Sequence, residues 1–258
     1  MAERLDLGSR FLQATIDGPV LSVLIDRPQR RNALTIEMYH GLKKAAVIAE
    51  KTPSVHVLLV RGRGEVFCCG GEMAGQHEGT QAIDRETDRF DLLPFVEFER
   101  CPKIVLTVVN GLCQGGGLNL VLTSDLSVAA RSATFRAPEL LRGVADCFLA
   151  ARLASRIGFA RAKDLLFTAR QLSADEAVEM GLVARVVADA ELDQAAEDVV
   201  ARVCETAPRA RTLLKRDFHR QLPAFDLAMF AESLASDEVR EGFAAFVEKR
   251  KPRWVPEH

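Results

Sequence analysis

Two glycine-rich segments offer backbone groups that could stabilise an anion, and each follows a predicted strand. Gly64–Met73 (GEVFCCGGEM) comes after the apolar run at 55–60, and Asn110–Leu120 (NGLCQGGGLNL) comes after the run at 104–109. Glycine allows the backbone to approach a ligand closely and to adopt positive φ. At a helix N-terminus, the Gly115–Gly117 run would present N–H groups and the positive end of the helix dipole to an anionic oxygen. A second donor from the first segment would complete an oxyanion hole.

Nucleotide-binding and serine-hydrolase motifs are not matched by these glycines. A triple glycine alone is also consistent with a tight turn that has no function. A dinucleotide fingerprint fails because Gly62-x-Gly64 is followed by Phe67 where the third glycine belongs. Neither a Walker lysine nor a G-x-S-x-G elbow is present.

The composition limits the partners of the chain. Hydrophobic residues make up 48% and charged residues 27% of the 258 residues, as in an ordinary globular protein. The net charge of −2 predicts no binding to nucleic acid or membrane, and no apolar run reaches the roughly 18 residues of a membrane span. The first ten residues lack the apolar core of a signal peptide. The six cysteines include one adjacent pair, Cys68-Cys69, and are otherwise scattered. They match no zinc or C-x-x-C spacing, so we expect reduced thiols, no bound metal and a cytoplasmic location.

Apolar periodicity predicts the elements that position the glycines. Two short apolar stretches, 11–16 and 19–26, predict a hairpin around Asp17-Gly18. Apolar residues at every third or fourth position predict a helix from about 35 to 51. The pattern is strand, strand, helix, repeated, with further strands predicted at 55–60, 104–109, 126–130 and 133–136.

The second half of the chain is predicted to be mainly helical. Ser173-Ala-Asp-Glu176 is a capping box that opens a helix, which Gly181 closes. The last helix begins near Ser236 and ends before Pro252. It carries Val239, Phe243 and Phe246 on one face, which would need a covering partner. Three more helices are predicted at 190–206, 207–220 and 226–234.

Five motifs in order resemble the crotonase superfamily, the enoyl-CoA hydratase/isomerase family. They span nearly the whole chain: Arg27-Pro-x-x-x-Asn-Ala-Leu34, Phe67-x-x-Gly-Gly-Glu-Met73, Gly111-x-x-x-Gly-Gly-Gly117, Pro138-Glu139-x-x-x-Gly143 and Glu248-Lys-Arg-Lys-Pro252. The resemblance implies an α/β fold, with a crotonase-like spiral of strand-strand-helix units over residues 1–190. It also implies a helical C-terminal oligomerisation region over residues 191–258, and a homotrimer or dimer of trimers.

The resemblance further implies an acyl-CoA site. The N–H groups of Gly71 and Gly116 would hold the thioester oxygen, and Glu139 would transfer a proton beside the acyl chain. An alternative for Glu139 is a carboxylate that favours the helix dipole after Pro138. Substrate contacts are implied for Arg31, Ala33, Cys69, Gly70, Glu72, Met73, Phe246 and Lys249. No cofactor is implied, since coenzyme A is part of the substrate.

Two departures from the family pattern bear on the reaction. Asn119 stands where the hydratases carry a second glutamate, and an amide cannot take up a proton at pH 7. Asp146 lies in an altered segment and roughly matches an aspartate of the dienoyl-CoA isomerase branch. Asp146 is also well placed to cap a helix that begins near Cys147, and we favour this interpretation.

The sequence favours an enoyl-CoA isomerase that shifts a double bond with one glutamate. A 1,3-proton shift needs one base and an oxyanion hole, and Glu139 supplies the base. An enoyl-CoA hydratase is the close alternative, since Asp146 could supply the missing second carboxylate. A non-catalytic acyl-CoA-binding protein on the same scaffold is a third interpretation.

Overall fold

The computed structural model describes residues 3–72 and 93–256. The polar sequence at 74–90 predicts a loop, and this segment and the predicted contact residue Met73 lie outside the described residues. The strands are β1 (Glu3–Leu5), β2 (Leu12–Asp17), β3 (Val20–Ile25), β4 (Val57–Gly62), β5 (Val66–Cys68), β6 (Ile104–Val109), β7 (Leu112–Gln114), β8 (Leu126–Ala130), β9 (Thr134–Arg136), β10 (Gln171–Ser173) and β11 (Arg185–Val187). The helices are α1 (Ile36–Lys51), α2 (Phe95–Arg100), α3 (Gly116–Thr123), α4 (Cys147–Ile157), α5 (Phe159–Thr168), α6 (Ala174–Glu179), α7 (Leu192–Glu205), α8 (Pro208–Gln221), α9 (Leu227–Leu234) and α10 (Asp237–Val247).

Seven strands form the larger sheet, in the order β1-β2-β3-β4-β6-β8-β11. β2 and β3 make the predicted antiparallel hairpin around Asp17-Gly18. From β3 onwards every neighbouring pair is parallel. β4 begins two residues later than the sequence predicts, because His56 donates its N–H to Pro19 outside the ladder. β4 then continues through Gly62 because its last residue pairs with Ile25 of β3.

Four short strands form the second sheet, in the order β10-β9-β7-β5. β5, β7 and β9 are parallel to one another, and β10 is antiparallel to β9. Each successive pair, β4 with β5, β6 with β7 and β8 with β9, places one strand in each sheet. A helix follows the second and third pairs, as the strand-strand-helix prediction requires. Since the carboxyl ends of parallel strands meet at one edge, the segments after β5, β7 and β9 are brought together.

The helices after residue 190 pack on the rest of the chain. α7 buries Leu192, Ala196 and Val199 against the larger sheet. The boundary between 190 and 191 stays a prediction, but the first helix beyond it shares a core with the strands. α10 packs against the short 3₁₀ turn at Glu139–Arg142, where a side-chain carbon at Gly242 would lie 2.5 Å from the Arg142 carbonyl group.

The apolar face of α10 is covered differently from the sequence expectation. Val239 is only 8% exposed, because this chain's own residues cover it. Phe246 is 49% exposed and has the guanidinium of Arg142 over its ring, 4.0 Å from the centroid. Val239 therefore needs no partner subunit to cover it, contrary to the expectation for this face, and the trimer stays a prediction.

The structure bears on two of the compositional predictions. All six cysteines are free thiols. Across residues 3–72 and 93–256, no helix has both the length and the apolar character needed to cross a membrane.

Candidate active site

Three segments whose groups could take part in a reaction follow three adjacent parallel strands. The Gly70-Gly71 turn follows β5, Gly115-Gly116 follows β7, and Glu139 comes three residues after β9. These strands neighbour one another in the order β9-β7-β5, so their carboxyl ends share one edge of the small sheet. The N–H of Gly115 also donates to the carbonyl of Arg136, which ties the second segment to the end of β9. The fold therefore gathers residues that are up to about seventy positions apart in the chain.

The N–H of Gly71 is left unpaired by its local bonding. Leu34 pairs with Gly71 in a parallel bridge, in which the Leu34 N–H donates to Gly70 and the Glu72 N–H donates to Leu34. Those bonds use the groups on either side of Gly71 and leave its own N–H without an acceptor among the described residues. Gly70 has a φ of +104°, a conformation that side chains rarely adopt.

The N–H of Gly116 is unpaired for a different reason. Gly116 is the first residue of α3, and the first N–H groups of a helix have no acceptor within it. Gly115 precedes it with a φ of +54°, and a side-chain carbon there would lie 2.5 Å from Oε1 of Glu139. A side-chain carbon at Gly70 would lie 3.4 Å from the Gly116 nitrogen. The two glycine turns therefore pack backbone against backbone, with the Glu139 carboxyl beside them.

Glu139 is a buried carboxyl group with an unsatisfied oxygen. It opens the short turn after Pro138, as the helix-start interpretation predicted. Its Oε2 is buried without a hydrogen-bond partner in the described part of the chain. Burial, and then the negative charge of Asp146, raise the pKa of Glu139 to about 8. The carboxyl group is therefore mainly protonated at neutral pH.

Asp146 is the N-cap of α4, which confirms the interpretation favoured from the sequence. Its Oδ1 accepts from the N–H groups of Phe148 at 2.8 Å and Leu149 at 2.9 Å. Its Oδ2 accepts from Nδ2 of Asn119 at 3.0 Å. Burial raises the pKa of Asp146, while these three donors oppose the rise. Asp146 also lies close enough to Glu139 for its charge to raise the pKa of that carboxyl group, and its role in the reaction stays a prediction.

Asn119 is fixed by this contact and keeps one free acceptor. The side chain is 1% exposed and lies on α3, three residues after Gly116. Because Nδ2 donates to Asp146, Oδ1 is directed elsewhere and has no donor among the described residues. Asn119 is not a carboxylate, and its amide group orients the carboxylate of Asp146.

Tyr39 is a residue of the site that the sequence reasoning missed. It lies on α1, and its hydroxyl oxygen would overlap a side-chain carbon placed on Gly116. The same oxygen lies 3.3 Å from a side-chain carbon placed on Gly71. A signal was available, because Tyr39 is the single tyrosine of the chain and interrupts the apolar face of a helix that directly follows the Asn-Ala-Leu motif.

Comparison with known proteins identifies the family of this chain. Residues 15–257 match the family model for enoyl-CoA hydratase/isomerase. The chain belongs to the enoyl-CoA hydratase/isomerase family. It is therefore an acyl-CoA enzyme with the crotonase fold, as the motifs implied.

Named relatives of this enoyl-CoA hydratase/isomerase family member cover almost all of it. A carnitinyl-CoA dehydratase of Proteus mirabilis is 29% identical over 95% of this chain and 98% of its own length. A short-chain-enoyl-CoA hydratase of Clostridium acetobutylicum is 30% identical over 91% and 94%. The crystal structure of an enoyl-CoA hydratase/isomerase from Pseudoalteromonas atlantica superposes with a TM-score of 0.85, at 28% identity, over 95% of this chain and 100% of that one.

Five of the substrate contacts that the family implies lie on two neighbouring segments, 31–34 and 69–72. Cys69 donates its N–H to the carbonyl of Arg31, and the Ala33 carbonyl accepts from the Arg27 guanidinium. Glu72 forms an ion pair with Arg27 at 2.7 Å. These contacts hold the strand-like segment that carries Gly70 and Gly71. The substrate contacts predicted for Arg31, Ala33, Cys69, Gly70 and Glu72 stay predictions.

The two C-terminal contacts implied by the family lie at the end of α10. Phe246 packs on Arg142, three residues after Glu139, and so touches the far side of the turn that carries the carboxyl group. Lys249 follows with a φ of +55° and donates its N–H to the Phe246 carbonyl. Their predicted contacts with coenzyme A stay predictions.

Proposed function

We propose that this enzyme adds water reversibly across the double bond of a 2-enoyl-CoA thioester. The observation that carries the proposal is the paired carboxyl groups of Glu139 and Asp146 beside two free backbone N–H groups. An isomerase needs only one carboxylate, whereas Asp146 offers a second carboxyl group whose charge acts on Glu139. Two of the named relatives, a dehydratase and a hydratase, support the same choice.

The surroundings of the two carboxyl groups assign them different protonation states. Asp146 accepts three hydrogen bonds, two of them at the N-terminus of α4, and these stabilise its negative charge. Glu139 has a buried oxygen with no donor, so ionisation is unfavourable there. We infer from these contacts that Glu139 carries the proton of the pair and that Asp146 is its ionised member.

This arrangement supports a balanced hydration step. Asp146 takes a proton from water as the water oxygen bonds to C3. The electrons of the double bond move toward the thioester, and the charge on its oxygen is held by the N–H groups of Gly71 and Gly116. Glu139 gives its proton to C2. The pair again holds one proton, now on Asp146, and its transfer to Glu139 restores the starting state.

Two buried acceptors support a water position beside the pair. Oε2 of Glu139 and Oδ1 of Asn119 both lack a donor among residues 3–72 and 93–256. A buried water needs two to four polar partners, and these atoms are such partners. Asn119 would then contribute an acceptor for the water, while its amide group orients Asp146.

A double-bond isomerase is the second candidate. The favouring observation is that all three donors around Asp146 engage its oxygens, so that Asp146 could serve only to hold the helix start. Glu139 alone would then have to remove a proton from C2 and return it at C4. That role requires an ionised Glu139, whereas its surroundings favour the protonated form.

Product mass separates the two candidates. We expect crotonyl-CoA, a 2-enoyl-CoA, to gain one water when incubated with the purified enzyme, measured by mass spectrometry and by loss of enoyl absorbance. The 3-enoyl isomer serves as the parallel substrate. Conversion of 3-enoyl-CoA to 2-enoyl-CoA without a change in mass, and faster than hydration of crotonyl-CoA, would establish the isomerase instead.

The pH dependence of hydration should show the role of Glu139. An acid acts only while it is protonated, so kcat/KM should fall as the pH rises through about 8, where Glu139 ionises. A base acts only when ionised, so an isomerase using Glu139 would instead gain activity across the same range. In Asp146→Asn the falling limb should move to lower pH, because the negative charge of Asp146 helps to raise the pKa of Glu139. If the falling limb of the pH profile does not move in Asp146→Asn, Glu139 is not the proton donor.

A further inference from the structure

We propose that the Tyr39 hydroxyl is a third hydrogen-bond donor of the oxyanion hole and contacts the thioester oxygen of bound acyl-CoA. This inference rests on the proposed function only for the position of the thioester, which both hydration and isomerisation share. It adds a side-chain donor to the two backbone donors.

Position is the first argument for this role. The Tyr39 hydroxyl would overlap a side-chain carbon at Gly116, and that same carbon position lies 3.5 Å from the Gly71 nitrogen. The hydroxyl is also 3.3 Å from the side-chain position of Gly71. The hydroxyl and the two free N–H groups therefore border one small space. An oxygen bound between the two amides would have the hydroxyl as its neighbour.

The lack of a protein partner is the second argument. A tyrosine hydroxyl in a partly buried position normally finds a hydrogen-bond partner. The Tyr39 hydroxyl has none among the residues that the structure describes. The ring itself is fixed, because it packs edge-on against Phe95 with the ring centres 6.0 Å apart. The packing holds the hydroxyl in position while its donor is left for a ligand.

Charge balance is the third argument. In the proposed mechanism the negative charge passes from Asp146 to the thioester oxygen when Asp146 takes a proton from water. Neutral donors stabilise the charge at that oxygen without placing a cation beside the carboxyl pair. Burial, and then the acidic groups Cys68, Asp146 and Glu139, raise the pKa of Tyr39. The phenol therefore stays protonated and able to donate throughout the working pH range.

The carbonyl stretching band of a bound, unreactive thioester tests the contact directly. We would use butyryl-CoA labelled with ¹³C at the thioester carbon, which has no double bond to hydrate. Donors to a carbonyl oxygen lower its stretching frequency. The band in Tyr39→Phe should therefore lie at higher frequency than in the wild-type complex, with the ring packing on Phe95 retained.

A second variant makes the same hydroxyl a stronger hydrogen-bond donor. Tyr39 is the only tyrosine in the sequence, so growth on 3,5-difluorotyrosine changes this residue alone. Fluorination makes the phenol a stronger donor, and the carbonyl band should shift to lower frequency. The fluorinated protein also allows the contact to be tested if Tyr39→Phe folds poorly. The opposite shifts of the two variants would distinguish a donor from a packing residue.

Turnover gives an independent readout. Tyr39→Phe should lower kcat roughly tenfold, the rate equivalent of one neutral hydrogen bond, with little change in KM. An unshifted carbonyl band in a Tyr39→Phe protein that binds butyryl-CoA normally would overturn the proposal, whatever the rate. Failure of the hydration proposal would appear separately, as crotonyl-CoA that gains no water, and would leave the butyryl-CoA measurement intact.

Discussion

We expect the replacement of Glu139 by glutamine to lower the rate of crotonyl-CoA hydration by about 10²–10⁴, the range for loss of a positioned general acid. Glutamine keeps the size and polarity of the side chain but has no acidic proton to give to C2. The loss should appear in kcat, measured from the disappearance of enoyl absorbance at saturating substrate. Binding of butyryl-CoA should change little, because no contact of Glu139 with the coenzyme is required.

The same substitution should change stability with a defined sign. A carboxyl group whose pKa is raised in the folded protein stabilises it fully below the unfolded pKa, and the contribution is lost as the pH rises toward about 8. Glu139→Gln has no such group to ionise. Its unfolding midpoint should therefore exceed that of the wild type at pH 9 and be similar to it at pH 5. Glu205→Gln, on an exposed position of α7, is the matched control and should alter neither rate nor midpoint.

Full activity in a folded Glu139→Gln protein would exclude Glu139 from proton transfer. Loss of activity together with an equal loss of stability at all pH values would instead point to a structural role. The control variant separates these outcomes, because it makes the same chemical change on the surface of the protein.

Adding one methyl group at Gly116 should lower hydration by roughly 10²-fold, similar to the loss of an oxyanion donor. Gly116→Ala keeps the backbone N–H but places a carbon where the Tyr39 hydroxyl now lies. Either the hydroxyl or the thioester must then move. Gly71→Ala is the matched control, because its new carbon would lie 3.3 Å from that hydroxyl and needs only a small adjustment. We therefore expect a much smaller loss at Gly71.

The Tyr39→Phe background makes the Gly116 experiment specific. Without the hydroxyl, the nearest ring atom lies 3.2 Å from the added carbon, so most of the overlap is relieved. The further loss caused by Gly116→Ala should be smaller in this background than in the wild type, a non-additivity expected of residues in contact. Equal losses in both backgrounds would show that the methyl group acts on the substrate or the helix start rather than through Tyr39.

Much of the architecture could be predicted from the sequence, because it depends on local interactions. The strands at 104–109 and 126–130 have the predicted bounds, because most residues of these two segments are buried in the larger sheet. The capping box at Ser173–Glu176 forms as predicted, since both of its hydrogen bonds join residues three apart. Asp146 caps α4 for the same reason. Each of these features depends on neighbours within one turn or one strand.

The sequence by itself also determined the family, the glycine turns and the identity of Glu139 as the carboxyl group beside them. Only the tertiary structure decided that Asp146 acts on Glu139, that Asn119 holds Asp146, and that the Tyr39 hydroxyl borders both glycine turns. Those contacts join residues on separate elements, and their distances follow from the order of β5, β7 and β9 and from the packing of α1 and α3 beside them. Periodicity and capping report only on near neighbours, whereas a site formed at the shared edge of parallel strands depends on which strands are adjacent.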